Sequence, residues 1–133
     1  MFCFDTDVMS AIVRRGGGPP QLARRMGVLP APEQFTTSIT VGELVYGARK
    51  RGSTRLESDI DRAVAEVEVA AFDERAARAY AEIRVQLEAG GQRLDDPDLR
   101  IAAICLSHDL TLITGNVRHF ERVPGLRVEN WLE

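Results

Sequence analysis

An α/β fold, with a central, mostly parallel sheet of four to five strands covered by helices on both faces, is what this 133-residue sequence predicts. Three observations predict it. Short apolar or β-branched runs alternate along the chain with longer segments whose apolar residues recur at helical spacing. Hydrophobic residues at 44% and charged residues at 28% describe an ordinary globular chain, long enough for a core without disulfides. No repeat or low-complexity tract interrupts it, so a single domain over 1–133 is expected.

Residues 2–4 read as a buried strand, broken by Asp5-Thr6-Asp7. Val8, Met9, Ile12 and Val13 then fall at helical spacing, with Thr6 or Asp7 as cap and Arg14-Arg15 at the end, where cations suit the helix dipole. The glycine–proline run 16–20 is a stop and turn. Residues 22–26 form a short helix ended by Gly27, and Pro30-Ala31-Pro32 an extended link. A second strand is expected at 35–39, followed by Thr40-Val41-Gly42-Glu43 in capping-box form. Val41, Leu44, Val45 and Ala48 give the buried stripe of that helix, and Arg49-Lys50-Arg51-Gly52 ends it. A further amphipathic helix runs from about 55 to 66 through Leu56, Ile60 and Val64, and a third strand lies in 67–72. Asp73 caps a long helix carrying Ala76, Ala77, Tyr80, Ile83 and Leu87, which Gly90-Gly91 ends.

The most informative stretch is 94–116, LDDPDLRIAAICLSHDLTLITGN. Asp96 is the expected N-cap, with Pro97 at the first helical position, where its missing amide costs nothing. Ile101, Ala102, Ile104, Cys105 and His108 continue the helix; a strand at 110–114 then stops at Gly115-Asn116. Residues 117–121 form a helical turn, 126–128 a last edge strand, and Trp131 closes an open side of the core.

Composition excludes several classes. A net charge of −3 supplies no broad cationic field, so a polyanionic ligand needs a local basic patch or a bound metal. Cys3 and Cys105 show no CxxC spacing and read as buried, reduced thiols, which fits a cytoplasmic address. Asp5 argues against a signal peptide, and no apolar run approaches the ~20 residues that span a bilayer, so no membrane association is expected.

In a parallel sheet of this kind ligands bind at the carboxyl ends of the strands. Asp5, Glu43 and Asn116 each come just after a predicted strand and belong on that edge. Asp98 follows a helix instead, so residues 91–94 must carry the chain back to the edge, feasible at ~3.3 Å per residue. Each acid also has a plain structural reading: Asp5, Asp7 and Asp96 as caps, Glu43 as half of the capping box, Asp98 as complement to a helix dipole. Together they say more. Converging carboxylates repel and raise one another's pKa, and a divalent cation removes that penalty. Oxygen-only ligands favour a hard ion, Mg²⁺ with Mn²⁺ as substitute. Such an ion activates water and neutralises a leaving oxygen, which gives phosphodiester hydrolysis without a histidine or cysteine nucleophile.

FDTD at 4–7, TVGELVYGA at 40–48, DPDLRIAA at 96–103 and TGNVRHFERVPGLRVENW at 114–131 together resemble the PIN-domain ribonucleases, and above all the VapC toxins of type II toxin–antitoxin pairs. The resemblance covers nearly the whole chain. It implies a three-layer α/β/α PIN-like fold, Mg²⁺-dependent endoribonuclease activity on tRNA or rRNA, a homodimer, and a cognate VapB-type antitoxin that blocks the cleft. It also implies that Asp5, Glu43 and Asp98 are the metal-binding acids, and that Thr114 and Asn116 form the TxN motif after the fourth strand. Many family members have aspartate where this chain has Asn116, which ligates or holds water without adding charge. The resemblance makes Asp7 a supporting residue and implies a catalytic set of Asp5, Glu43, Asp98 and Asn116.

Two other readings compete. FDTDV has the DxDxV form of a haloacid-dehalogenase-like phosphatase, but the sole lysine, Lys50, and the Asp95-Asp96 pair both precede Thr114, the wrong order for that class. A non-catalytic PIN-like module that binds RNA or a protein partner is the other. Arg14, Arg15, Arg24, Arg25, Arg49, Lys50, Arg51, Arg118 and Arg122 are the candidates for guiding RNA, while His108 and His119, the latter near the expected site, lack the companions a metal site needs.

Overall fold

The computed structural model describes residues 1–14 and 17–133; Arg15 and Gly16, expected at the first helix end and turn, lie outside the described residues. Among the latter there are five strands, β1 (Phe2–Phe4), β2 (Gln34–Thr37), β3 (Glu68–Ala70), β4 (Thr111–Ile113) and β5 (Val128–Glu129). All pair in parallel, in the order β3-β2-β1-β4-β5. The helices are α1 (Thr6–Val13), α2 (Pro20–Gly27), α3 (Ser38–Lys50), α4 (Thr54–Ala65), α5 (Glu74–Ala89), α6 (Asp96–Ser107) and α7 (Val117–Phe120). A 3₁₀ turn, Ala31–Glu33, stands where an extended link was expected; the fixed φ of Pro32 suits its tight coil.

Alternation along the strands builds two cores, one on each face. Cys3 and Leu112 point to the face covered by α5 and α6, with Leu99, Ile101, Ile104, Leu110 and Phe120. Phe4 and Ile113 point to the other, with Val8, Met9, Leu22 and Trp131. Trp131 closes that side as expected, its ring 5.1 Å from Phe2 and 5.9 Å from Phe4. Phe4, fully buried, contributes about 1.5–3 kcal/mol. Both cysteines are free and buried. Among the described residues no helix is long and apolar enough to cross a membrane.

Three helix starts are settled by side-chain contacts, and two of them differ from expectation by a residue or more. Of the residues offered as caps for α1, it is Asp5 rather than Thr6 or Asp7 that serves: its Oδ1 accepts the Val8 amide at 3.0 Å. β2 stops at Thr37, whose hydroxyl is then free to cap α3 by accepting the Thr40 amide at 3.0 Å. Thr40 is therefore inside the helix, the 40–43 capping box does not form, and Glu43 is released from it. Asp95 rather than Asp96 flanks α6, with no side-chain cap bond. Asp96 is the first helical residue, and its carboxylate is taken by Tyr80 at 2.5 Å and Arg100 at 2.7 Å. The last strand also lies slightly later than 126–128, because β4 pairs Leu112 with Val128 and Ile113 with Glu129.

Candidate active site

The order of the strands prepares the site. From β1 the chain passes to β2 on one side, whereas β4 lies on the other side of β1 and leads outward to β5. The connections leaving β1 and β4 therefore diverge, and a crevice opens between them at the carboxyl edge. Asp5 immediately follows β1; Thr114, Gly115 and Asn116 immediately follow β4.

Asp5 is 4% exposed. Besides the Val8 amide, the Thr114 hydroxyl donates to its carboxylate, and the Asn116 amide donates in turn to Thr114 Oγ1 at 3.0 Å. Burial pushes the Asp5 pKa from 3.8 up to about 6; Asp7 and Asp98 add to the rise, and the Thr114 and Val8 hydrogen bonds oppose it. Glu43, half-buried on α3, accepts the Thr6 hydroxyl on Oε1 at 2.6 Å. Thr6 itself lies 3.2 Å from the hydroxyl of Thr40. Asp98, half-buried in the first turn of α6, accepts His119 Nε2 on Oδ2 at 3.0 Å. Burial raises its pKa, with Glu43 and Asp95 adding to the rise and His119 working against it.

These contacts bring the three expected acids into one neighbourhood. Thr6, the residue after Asp5, holds Glu43; Asp98 senses the charge of Glu43; Asp5 senses the charge of Asp98. Among the described residues no arginine or lysine forms an ion pair with any of them, and His119 on Asp98 is the one basic partner. Asn116 is exposed at the start of α7, and its side chain forms no cap bond. Its carbonyl accepts the amides of His119 at 3.2 Å and Phe120 at 3.4 Å.

Acids buried together without cations fit a hard divalent ion, whose charge would relieve the strain that raises the Asp5 and Asp98 pKa values. Among the described residues no three His, Cys, Asp or Glu side chains stand as a ready-made cage. Two contributors escape a reading of the sequence. Thr6 looks like a cap, and His119 looks isolated; only the three-residue step from Asn116 to His119, one helical turn back toward the sheet edge, hints at the second.

Fold and site define an α/β protein with a carboxylate-lined crevice at a topological switch point. A model of the PIN domain matches residues 2–126, and the chain belongs to that family. Within it the chain groups with the VapC ribonucleases. It is 32% identical over 132 residues to the "tRNA(fMet)-specific endonuclease VapC" of Salmonella typhimurium, covering 98% of this chain and 99% of that one. It is 33% identical over 96 residues to "Ribonuclease VapC2" of Rickettsia felis, covering 71% and 72%. Among solved structures, VapBC2 of Rickettsia felis bound to a promoter DNA fragment superposes with a TM-score of 0.89 at 26% identity, covering 98% of both chains. DNA-bound VapBC of Salmonella typhimurium superposes with a TM-score of 0.87 at 31% identity, covering 98% and 97%.

Proposed function

We propose that this chain is a Mg²⁺-dependent endoribonuclease and the toxin of a toxin–antitoxin pair, hydrolysing phosphodiester bonds of tRNA or rRNA. One observation carries the reading: Asp5, Glu43 and Asp98 share a crevice, buried or half-buried, with no arginine or lysine among the described residues to neutralise them. Glu57, Glu74, Glu88 and Asp96 are each paired with an arginine, whereas these three leave room for a cation from outside the chain. Asp5 and Asp98 would hold it, with Glu43 completing the set or orienting the attacking water. Mn²⁺ would substitute. When bound, such an ion activates water and neutralises charge on a scissile phosphate.

The residues around it do the positioning. Thr6 steadies Glu43, Thr114 steadies Asp5, and Asn116 offers an uncharged amide at the β4 edge that can hold a water or a second ion. Arg14 and Arg51 line a groove of about 370 Å³ that opens beside Thr6 and Glu43. Among the described residues neither forms an ion pair, so both are available to RNA phosphates. The names of the Salmonella typhimurium and Shigella flexneri relatives favour tRNA as substrate. The VapBC complexes among the structural neighbours support a cognate VapB-type antitoxin that covers the crevice. A homodimer and a cytoplasmic location complete the reading.

Expression of the chain alone should arrest growth. Co-expression of the neighbouring open reading frame should relieve the arrest, and Asp98→Asn should abolish it. RNA ends sequenced from arrested cells would name the substrate. RNA binding without Mg²⁺-dependent cleavage would instead support a non-catalytic module, the reading for which Asn116 leaves room. Release of phosphate from a small monoester with RNA intact would support a phosphatase, although Asp96, engaged by Tyr80 and Arg100, is poorly placed for that role.

A further inference from the structure

The three crevice acids share a pattern of hydrogen bonding. Each has at least one oxygen tied by a protein donor: Asp5 Oδ1 by the Val8 amide, Glu43 Oε1 by the Thr6 hydroxyl, Asp98 Oδ2 by His119 Nε2, with Thr114 a further donor to Asp5. The first two donors lie beside or within the crevice-forming turn after β1. His119 is different. It reaches Asp98 from α7, 21 residues further along the chain.

We propose that His119 is a positioning residue for the metal site: by holding Asp98 Oδ2 it leaves Oδ1 as the single oxygen that Asp98 presents to the ion. This rests on the metal-dependent reading above and goes beyond it, because it assigns a role to a side chain outside the acid set. An ionised carboxylate only accepts hydrogen bonds, so Nε2 must carry the proton in this contact, and the ring acts as a donor whatever the state of Nδ1. The donor is itself fixed in place. Phe120, 2% exposed, and Val123, 2% exposed, anchor α7 and the turn after it in the α5–α6 core. The His119 amide is bonded to the Asn116 carbonyl at 3.2 Å, and its ring packs edge-on against Phe120 at 5.5 Å. Asp98 in turn begins a helix whose next residue, Leu99, is buried in the same core. Both partners thus hang from one packed layer, which keeps the 3.0 Å contact in register. A carboxylate whose one oxygen is turned toward a fixed donor is biased against chelating an ion with both, so the site favours an ion that accepts single oxygens in near-octahedral array over one that accepts bidentate carboxylates.

The test uses the full-length chain and its His119→Ala, His119→Gln and Asp98→Asn variants, with folding of each checked by circular dichroism and thermal unfolding. Mn²⁺ affinity is measured by calorimetry in the absence of RNA, and kcat and KM are measured with bulk tRNA in Mg²⁺. Glutamine keeps an N–H donor of similar reach, so it separates the hydrogen bond from the mere bulk of the ring. The expected result is a loss of Mn²⁺ affinity in His119→Ala of about 10–100-fold, the usual cost of removing an outer partner of a metal ligand. His119→Gln should recover most of it, and kcat should fall in the alanine variant while KM for tRNA stays put. Wild-type Mn²⁺ affinity in His119→Ala would overturn the proposal, and so would His119→Gln binding as weakly as alanine. If the wild-type chain bound no Mn²⁺ and cut tRNA in a chelator, the metal-dependent function would fall first. That outcome is distinguishable because Asp98→Asn would then change nothing.

Discussion

Asp96 and Asp98 stand two residues apart in the first turn of α6 and meet opposite fates. On the outer side, Asp96 is exposed, bonded to the Tyr80 hydroxyl and the Arg100 guanidinium, and its pKa is held low by those partners, Tyr80 first. Arg84–Glu88 and Arg78–Glu74 continue the same surface as solvated ion pairs along α5. On the crevice side, Asp98 is half-buried among other acids and its pKa is raised, burial being the main cause. The outer carboxylates are satisfied by the chain. The crevice carboxylates are left at a cost in folding free energy, and that contrast separates a surface that stabilises the protein from one arranged for a cation.

The comparison breaks most visibly in activity. Asp98→Asn and Asp5→Asn should each cut RNA cleavage by more than the about 100-fold that losing an outer partner of a metal ligand costs, measured on tRNA in Mg²⁺. Asp96→Asn should leave cleavage near wild type. Cleavage that falls as far in Asp96→Asn as in Asp98→Asn would erase the distinction between the two sides.

Stability should move the other way. Asp5 holds its proton more tightly in the folded chain, with a pKa of about 6 against the usual 3.8. Between those values folding takes up a proton, so stability falls as pH rises through the window and the penalty is complete above it. Asp5→Asn retains a capable cap for the Val8 amide and removes the charge. At pH 7, without divalent ions, it should therefore gain up to about 3 kcal/mol, which is roughly two pKa units at 1.36 kcal/mol each. Urea titrations should show the gain shrinking toward pH 4. A variant less stable than wild type at pH 7 would contradict the assignment of Asp5 as a strained acid.

A bound ion should relieve the same penalty. Mg²⁺ or Mn²⁺ at a hundredfold excess over its dissociation constant should stabilise the wild-type chain by about 2.7 kcal/mol, read as a rise in thermal midpoint. Asp98→Asn should respond far less. The smallest effect belongs to the outer surface: Arg100→Ala or Asp96→Asn should cost no more than about 1 kcal/mol, as exposed ion pairs do, with salt reducing the difference between variant and wild type.

Much of this was readable in the letters. The five strands and the helices between them follow from apolar runs alternating with helical spacing, and the observed sheet differs mainly by residues at strand ends. Asp5, Glu43 and Asp98 could be nominated because oxygen-bearing residues stood directly after strands or at a helix start. Their caps could not be read so well. Thr37, Thr40 and Ser38 all offer hydroxyls to the start of α3, and which one caps depends on where the β2–β3 ladder stops, a pairing between distant segments. Asp95 and Asp96 are equally suited to cap α6; the choice was made by Tyr80 and Arg100, which draw the second one outward.

The sequence by itself determined the periodicities, and with them the alternation of strand and helix and the two-sided core, because burial on a strand or helix face repeats over short distances along the chain. It also determined which carboxylates the chain possesses near strand ends. Only the tertiary structure decided that Thr6 holds Glu43 and that His119 holds Asp98, since hydrogen bonds between residues 37 and 21 positions apart exist only once separate elements pack against one sheet.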